Sequence, residues 1–326
     1  MSSEARSTEP RSRVLLLGLG PTTGSALESL LGRFEVVALV RDDEDDVTHR
    51  AREAGVPVIP DPRPSGLGAL IEQTCPDCVV VSSYDRIIGP DLLALVPFIN
   101  VHYAPLPRYR GRANVNWAII NGEREVAVTV HCVVPDLDAG PVLAQQLIPL
   151  EPDDDVTSVY ARLNDLQAAL LPAAVARRLS GDEGEPQAEG EATYGCTRLP
   201  EDGEIDWTWS TARIHALVRA LAPPYPGAFT YAGLQRLWVV EAAPAPSPLR
   251  YEGRVPGRVV GRSATKGWVE VLTGDSVLRL NRLRLQDGQV VPAAAVVAGT
   301  HATLGLRTWD LVERLVELEA KLVGDR

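Results

Sequence analysis

Val14-Leu15-Leu16-Leu17-Gly18-Leu19-Gly20-Pro21-Thr22-Thr23-Gly24 is an apolar run that stops at a glycine and passes into a helix-forming stretch over residues 23–31. Four apolar residues without polar alternation mark a strand buried on both faces, as in a parallel sheet. Working outward, residues 34–40 read as a second strand, 47–54 as a helix and 56–59 as a short third strand. The alternation continues with a helix at 67–73, a strand at 78–82, a short helix at 91–95 and a strand at 98–101. A helix at 115–120 ends at Asn121-Gly122, and a strand at 126–134 and a long helix at 156–178 follow. This order predicts an α/β domain over residues 13–180, with a doubly wound, mostly parallel sheet. Ligands on such sheets bind beyond the carboxyl ends of the strands.

Past residue 180 the texture changes. Residues 181–204 open polar, acidic and rich in Gly and Pro, and read as a linker. A helix at 211–220, the turn Pro223-Pro224-Tyr225-Pro226-Gly227 and short strands at 237–240, 258–260, 268–272 and 277–283 follow. They predict a small antiparallel β-barrel over 205–306. Residues 307–326 read as a terminal helix, amphipathic through Trp309, Val312, Leu315, Val316 and Val323, which could serve a homo-oligomer. Residues 1–12 are polar, lack an apolar signal core and read as a disordered tail on a cytoplasmic protein.

With 326 residues, 45% of them apolar, the chain can bury a sizeable core. Its net charge of -11 argues against a nucleic-acid partner, which calls for a basic face. No apolar run reaches the length of a membrane span. Cys75-Pro76-Asp77-Cys78 has the spacing of a redox or half-zinc motif, but Cys78 begins an apolar strand and no second ligand pair follows. No metal site is expected.

Gly18-Leu19-Gly20 and Gly24 resemble a dinucleotide fingerprint with imperfect spacing, and Arg41, rather than an acid, ends the second strand. An NADP-binding oxidoreductase would use Arg41 for a 2′-phosphate. The simpler reading is a tight strand-to-helix turn. Residues 42–46, Asp-Asp-Glu-Asp-Asp, read as a solvated acidic loop, unsuited to gripping a polyphosphate.

Asn100-Val101-His102 closes the strand at 98–101, and Asp138 sits on the loop after the strand at 126–134. An amide, an imidazole and a carboxylate near strand ends can stabilise an oxyanion and move a proton, as acyl transfer to an amine requires. His131 reads as structural or supporting; His49, His215 and His301 read as surface or packing residues. Arg110-Gly111-Arg112 offers two guanidinium groups suited to phosphate or carboxylate.

Asn100-x-His102, Pro107-x-Tyr109-Arg110-Gly111, Trp117-Ala118, Val128-Thr129-x-His131 and Asp138-x-Gly140 together resemble the signature of the folate-dependent formyltransferases. Ala192-Thr193-Tyr194, Ile205-Asp206-Trp207, Val218-Arg219-Ala220 and Pro226-Gly227-Ala228 extend the likeness, which runs from about residue 13 to 306. The resemblance implies a Rossmann-like domain followed by an OB-like one, with 10-formyltetrahydrofolate as co-substrate. It implies Asn100, His102 and Asp138 as the catalytic trio. Folate contacts are implied at Arg86, Ile87, Ile88, Arg112, Val134, Pro135, Asp136 and Leu137. Ala104, Ala127 and Thr197 depart from the family's usual small hydroxyl residue, glycine and lysine.

The acceptor follows from finer likeness. The family's methionyl-tRNA enzymes carry a longer basic loop where this chain has the acidic run at 42–46. Tyr109-Arg110-Gly111-Arg112-Ala113, Asn116-Trp117 and Pro224-Tyr225-Pro226-Gly227-Ala228-Phe229 are closer to the sugar-nucleotide enzymes. That implies a small primary amine, foremost a nucleotide-linked amino sugar, with substrate contacts at Tyr109, Arg110, Asn116 and Trp117. Methionyl-tRNA and a peptide or siderophore amine are the alternatives.

Overall fold

The computed structural model describes residues 10–20 and 22–324; Pro21 and most of the expected tail lie outside the described residues. The chain divides into two compact units, one of residues up to 115, 125–150 and 159–197, the other of 116–124, 151–158 and 198 onward.

The first unit runs β1 (Arg13–Leu17), α1 (Thr23–Leu31), β2 (Glu35–Val40), α2 (Asp46–Glu53), β3 (Val58–Ile59), α3 (Arg63–Thr74), β4 (Cys78–Ser82), α4 (Pro90–Leu93) and β5 (Phe98–His102). It continues through β6 (Arg110–Gly111), α5 (Asn114–Ile120), β7 (Glu125–Cys132), β8 (Val142–Pro149), α6 (Val156–Leu179) and β9 (Tyr194–Gly195), with α5 and α6 shared with the other unit. The large sheet has the order β3-β2-β1-β4-β5-β7-β8. β1, β2, β3, β4 and β5 pair in parallel, while β7 runs antiparallel to both β5 and β8. Val14 to Leu17 and Cys78 to Val80 are completely buried, which is why both strands read as unbroken apolar runs. Burying each such Val or Leu side chain contributes about 1.5–3 kcal/mol. β8 was not foreseen: at the sheet edge it exposes Gln145, Gln146 and Leu147, so its apolar signal is diluted.

The turn after β1 is filled by protein. Arg41, only 4% exposed, donates to the carbonyl oxygens of Gly18 (3.0 Å) and Gly20 (3.2 Å), and its guanidinium pairs with Asp45. Asp45 also caps α2, accepting from the backbone N–H groups of Val47 and Thr48. Pairing with Arg41 holds the Asp45 carboxyl below the usual carboxylate range, against the opposing effect of partial burial. A Cβ on Gly18 would stand 2.2 Å from Thr23, so the residue is glycine because β1 and α1 approach too closely for a side chain. The tight-turn reading therefore holds, and Arg41 is committed to that turn.

Residues 181–204 do not form a free linker. Glu185 bridges to Val142, and β9 pairs in parallel with β6, so the first unit extends to residue 197. The Gln187, Glu189 and Thr193 side chains hydrogen-bond to neighbouring loops instead of serving a solvated connector.

The second unit contains α7 (Thr211–Ala220), β10 (Ala228–Ala232), β11 (Gln235–Pro244), β12 (Val259–Ser263), β13 (Trp268–Leu272), β14 (Val277–Arg284), β15 (Val290–Pro292), α8 (Ala293–Val296) and α9 (Thr308–Gly324). Its antiparallel sheet has the order β10-β11-β14-β13-β12, with β15 also on β14. Single bridges from Ala232 to Leu304 and from Arg258 to Thr303 bring one segment against both end strands. Leu237, Val239, Val269, Val271, Leu278, Leu280 and Leu283 form its buried apolar face. In α9, Trp309, Val312, Leu315 and Val316 are all exposed. No helix among the described residues is long and apolar enough to cross a membrane.

Candidate active site

β5 sets Asn100 and His102 two residues apart, on one face of the strand. The antiparallel register with β7 places Asn100 opposite His131 and His102 opposite Thr129. Asp138 arrives on the loop between β7 and β8 with φ of 49°. That loop turns tightly: a Cβ on Gly140 would lie 1.8 Å from the Cys132 carbonyl oxygen, so only glycine fits two residues after the aspartate.

The hydrogen bonds define the protonation of the His131 ring. His131 Nδ1 lies 2.8 Å from the Cys132 carbonyl oxygen, which can only accept, so the proton is on Nδ1. His131 Nε2 is therefore an acceptor and takes an N–H from Asn100 Nδ2 at 3.1 Å. Burial, reinforced by neighbouring His102 and opposed by Asp138, holds His131 well below the ordinary imidazole range, which keeps it neutral. His102 Nε2 lies 2.8 Å from the Tyr109 carbonyl oxygen and donates to it. The nitrogen left to work is Nδ1, 3.7 Å from Asp138 Oδ2. Asp138 Oδ2 accepts the Gly111 N–H at 2.8 Å, and Oδ1 stands 3.4 Å from Asn100 Nδ2. The three residues are thus brought together from one strand and one loop.

They lie on a cavity of about 620 Å³. Arg86, Ile87, Ile88, Arg112 and Val134 to Leu137 all line it. Ile87 and Leu137 are 83% and 58% exposed, offering apolar surface to a flat ring system. Arg86 is paired with Asp61 at 2.9 Å, and Arg112 donates to the Asp85 carbonyl oxygen at 2.9 Å. Thr22, Ser83, Tyr103 and Tyr160 also line the cavity.

The four expected substrate contacts are placed elsewhere. Tyr109 is buried, with the Arg108 guanidinium over its ring, and contributes its backbone carbonyl to His102. Arg110 is 1% exposed and its guanidinium is held by Glu189 (2.6 and 3.0 Å) and Gln187. Paired in this way, Arg110 is not presented to a phosphate. Asn116 is buried in the second unit and donates to the Ala220 carbonyl oxygen at 2.7 Å, while Trp117 lies beneath the Arg198 guanidinium. None of these four lines the cavity. Motif membership does not reveal which way a side chain points.

Other contributors were not foreseen. Asn114, at the start of α5, places Nδ2 2.9 Å from His102 Nε2 and donates to the Gly111 carbonyl oxygen at 3.1 Å. Thr129 supplies a hydroxyl to the Ala104 carbonyl oxygen at 2.6 Å, close to where a hydroxyl residue was expected at 104. Thr197 lines the cavity, and Ala127 is fully buried in β7.

An amide, an imidazole and a carboxylate gathered on a mostly parallel sheet are the groups that acyl transfer calls for, and comparison with known proteins gives the family. Residues 43–175 match the formyl transferase family and residues 199–301 match its formyl transferase, C-terminal domain. The chain belongs to the formyltransferase family. Among similar solved structures is HypX from Aquifex aeolicus in complex with tetrahydrofolic acid, at 21% identity and a TM-score of 0.62, covering 88% of this chain and 47% of that one. The chain thus spans about half the length of the HypX structures it matches. WlaRD, a sugar 3N-formyl transferase in the presence of dTDP and 5-N-formyl-THF, matches at 13% identity and a TM-score of 0.60, covering 83% of this chain and 98% of that one. Methionyl-tRNA formyltransferase from Clostridium thermocellum matches at 18% identity and a TM-score of 0.56, covering 71% and 93%.

Proposed function

We propose that this protein transfers the formyl group of 10-formyltetrahydrofolate to the primary amine of a small acceptor, and that the acceptor is a nucleotide-linked amino sugar. One observation carries the reading: Asn100, His102 and Asp138 converge on a cavity whose wall is built from Arg86 to Ile88 and Val134 to Leu137. Family membership supports the group transferred.

The unprotonated amine attacks the formyl carbon, and the carbonyl oxygen becomes an oxyanion. Asn100 keeps one N–H on His131 and turns the other, loosely placed toward Asp138 at 3.4 Å, to the oxyanion. His102, as the imidazolium, contributes the N–H of Nδ1, since that of Nε2 is committed to the Tyr109 carbonyl. A donor of this kind stabilises the transition state by about 3 kcal/mol. Asp138 takes the proton released by the amine through water. The carbon–nitrogen bond to the folate then breaks, and the folate nitrogen receives the proton, so the carboxylate relays it without net consumption.

The acceptor assignment draws on the acidic loop at 42–46. Its Asp45 is committed to Arg41 and to capping α2, leaving no basic grip on a polynucleotide in that loop. The test is formylation, by purified protein and 10-formyltetrahydrofolate, of nucleotide-linked amino sugars beside methionyl-tRNA and free peptide amines. Efficient formylation of methionyl-tRNA with amino sugars untouched would overturn the acceptor. Failure to bind any folate would overturn the donor.

A further inference from the structure

Residues 184–195 form a strap whose hydrogen bonds end on the backbone that carries the catalytic groups. Gln187 is its centre. Its Nε2 donates to the carbonyl oxygens of Asp138 and Gly140, both at 2.8 Å. Its Oε1 accepts from Arg110 Nη2 at 2.8 Å and Nε at 3.2 Å. Arg110 extends its guanidinium to Glu189 and its backbone N–H to the Thr193 carbonyl oxygen at 2.8 Å. Thr193 Oγ1 accepts the Tyr109 N–H at 2.9 Å. Glu185 and Val142 exchange a pair of backbone hydrogen bonds at 2.8 and 2.9 Å, tying the strap to the far side of the Asp138 loop.

We infer that Gln187 is a positioning residue that sets the relation between Asp138 and His102. It holds Asp138 directly by its carbonyl. It acts on His102 through Arg110 and Thr193, which fix Tyr109, whose own carbonyl anchors His102 Nε2. Asp138 occupies the left-handed region at φ of 49°, a conformation that persists only where the surroundings over-determine it. Its Oδ2 has to stay on the Gly111 N–H and beside His102 Nδ1 at the same time. A carboxamide suits position 187 because it donates two N–H groups and accepts from a guanidinium at once. A carboxylate of the same shape would keep Arg110 but turn lone pairs toward two carbonyl oxygens.

The kinetic part of this inference rests on the formyl-transfer reading; the geometric part does not. The test compares wild type with Gln187→Leu, Gln187→Glu and Arg110→Lys. It measures kcat and KM for 10-formyltetrahydrofolate with hydroxylamine as the amine probe, affinity for 5-formyltetrahydrofolate, and the ¹⁵N shifts of the His102 ring. The expected result is a fall in kcat on the order of 100-fold for both Gln187 variants, the loss that misplacing a catalytic group by about 1 Å can produce. KM and folate affinity hold within about threefold, as positioning without contact requires, and the His102 ring shifts move. Arg110→Lys, which retains a cation for Glu189, shows a smaller loss in the same direction and serves if a Gln187 variant fails to fold. Unchanged kcat with unchanged His102 shifts overturns the inference, as does loss of folate affinity in step with kcat. If wild type neither binds the folate analogue nor transfers a formyl group, the functional reading fails instead, and the His102 shifts alone still decide the strap.

Discussion

Asn100 Nδ2 lies 3.1 Å from His131 Nε2, across the directly opposed pair that the two residues form between β5 and β7. Because the Cys132 carbonyl claims the proton of the other ring nitrogen, His131 can only accept here, and it fixes which side of the Asn100 amide faces the cavity. His131→Leu should lower kcat by about 10- to 100-fold with little change in folate KM, because the amide is free to turn. His131→Gln, which retains an acceptor, should recover part of the loss. Equal activity in the Leu variant would show that the amide needs no partner.

The depressed pKa of His131 also predicts a pH dependence of stability. The folded state binds a proton on this ring less readily than the unfolded chain, whose imidazole titrates at about 6.5. The contribution is therefore complete above that pH and is lost as the solution is acidified through and below it. Melting temperature should fall less steeply between neutral pH and mild acid in His131→Gln than in wild type. Parallel curves would remove His131 as the cause.

Asn100→Ala, His102→Ala and Asp138→Ala should each abolish most formyl transfer while the protein stays folded. For Asn100 the expected loss is about 10²–10³ in kcat, that of one oxyanion donor. Binding of 5-formyltetrahydrofolate, followed by calorimetry, should persist in all three. Turnover near that of wild type in His102→Ala or Asp138→Ala would remove that residue from the mechanism.

Ile87 offers an exposed apolar side chain at the cavity wall without any part in proton transfer. Ile87→Ser should raise the KM for the folate several-fold with kcat nearly unchanged, and leave stability within about 0.5 kcal/mol. A kcat effect equal to the KM effect would contradict a role confined to donor binding.

Arg41 bears on the competing class of function. Its guanidinium is buried against Gly18, Gly20 and Asp45, so NADPH should produce no shift in melting temperature at concentrations where 5-formyltetrahydrofolate does. Asp45→Ala should destabilise by about 1–2 kcal/mol, from loss of the α2 cap. A clear NADPH-induced shift would reopen the dinucleotide reading of the glycine turn.

The framework is written in the linear pattern of apolar residues. Strands buried on both faces, such as β1 and β4, need unbroken apolar runs, and that requirement is legible without coordinates. Asn100 and His102 share a face because side chains alternate along a strand, so their pairing was readable too. Other features depend on contacts between distant segments. β8 hid because an edge strand need be apolar on only part of its surface, and the strap at 184–195 hid because a polar segment looks alike whether water or a neighbouring loop satisfies it. Arg110 and Asn116 sit in motifs that suggest ligand contact, yet both are turned onto protein partners. Likewise, only the register between β5 and β7 puts His131 behind Asn100. Local periodicity records which residues must avoid water, whereas the partner of each polar group depends on which distant segment the fold lays beside it.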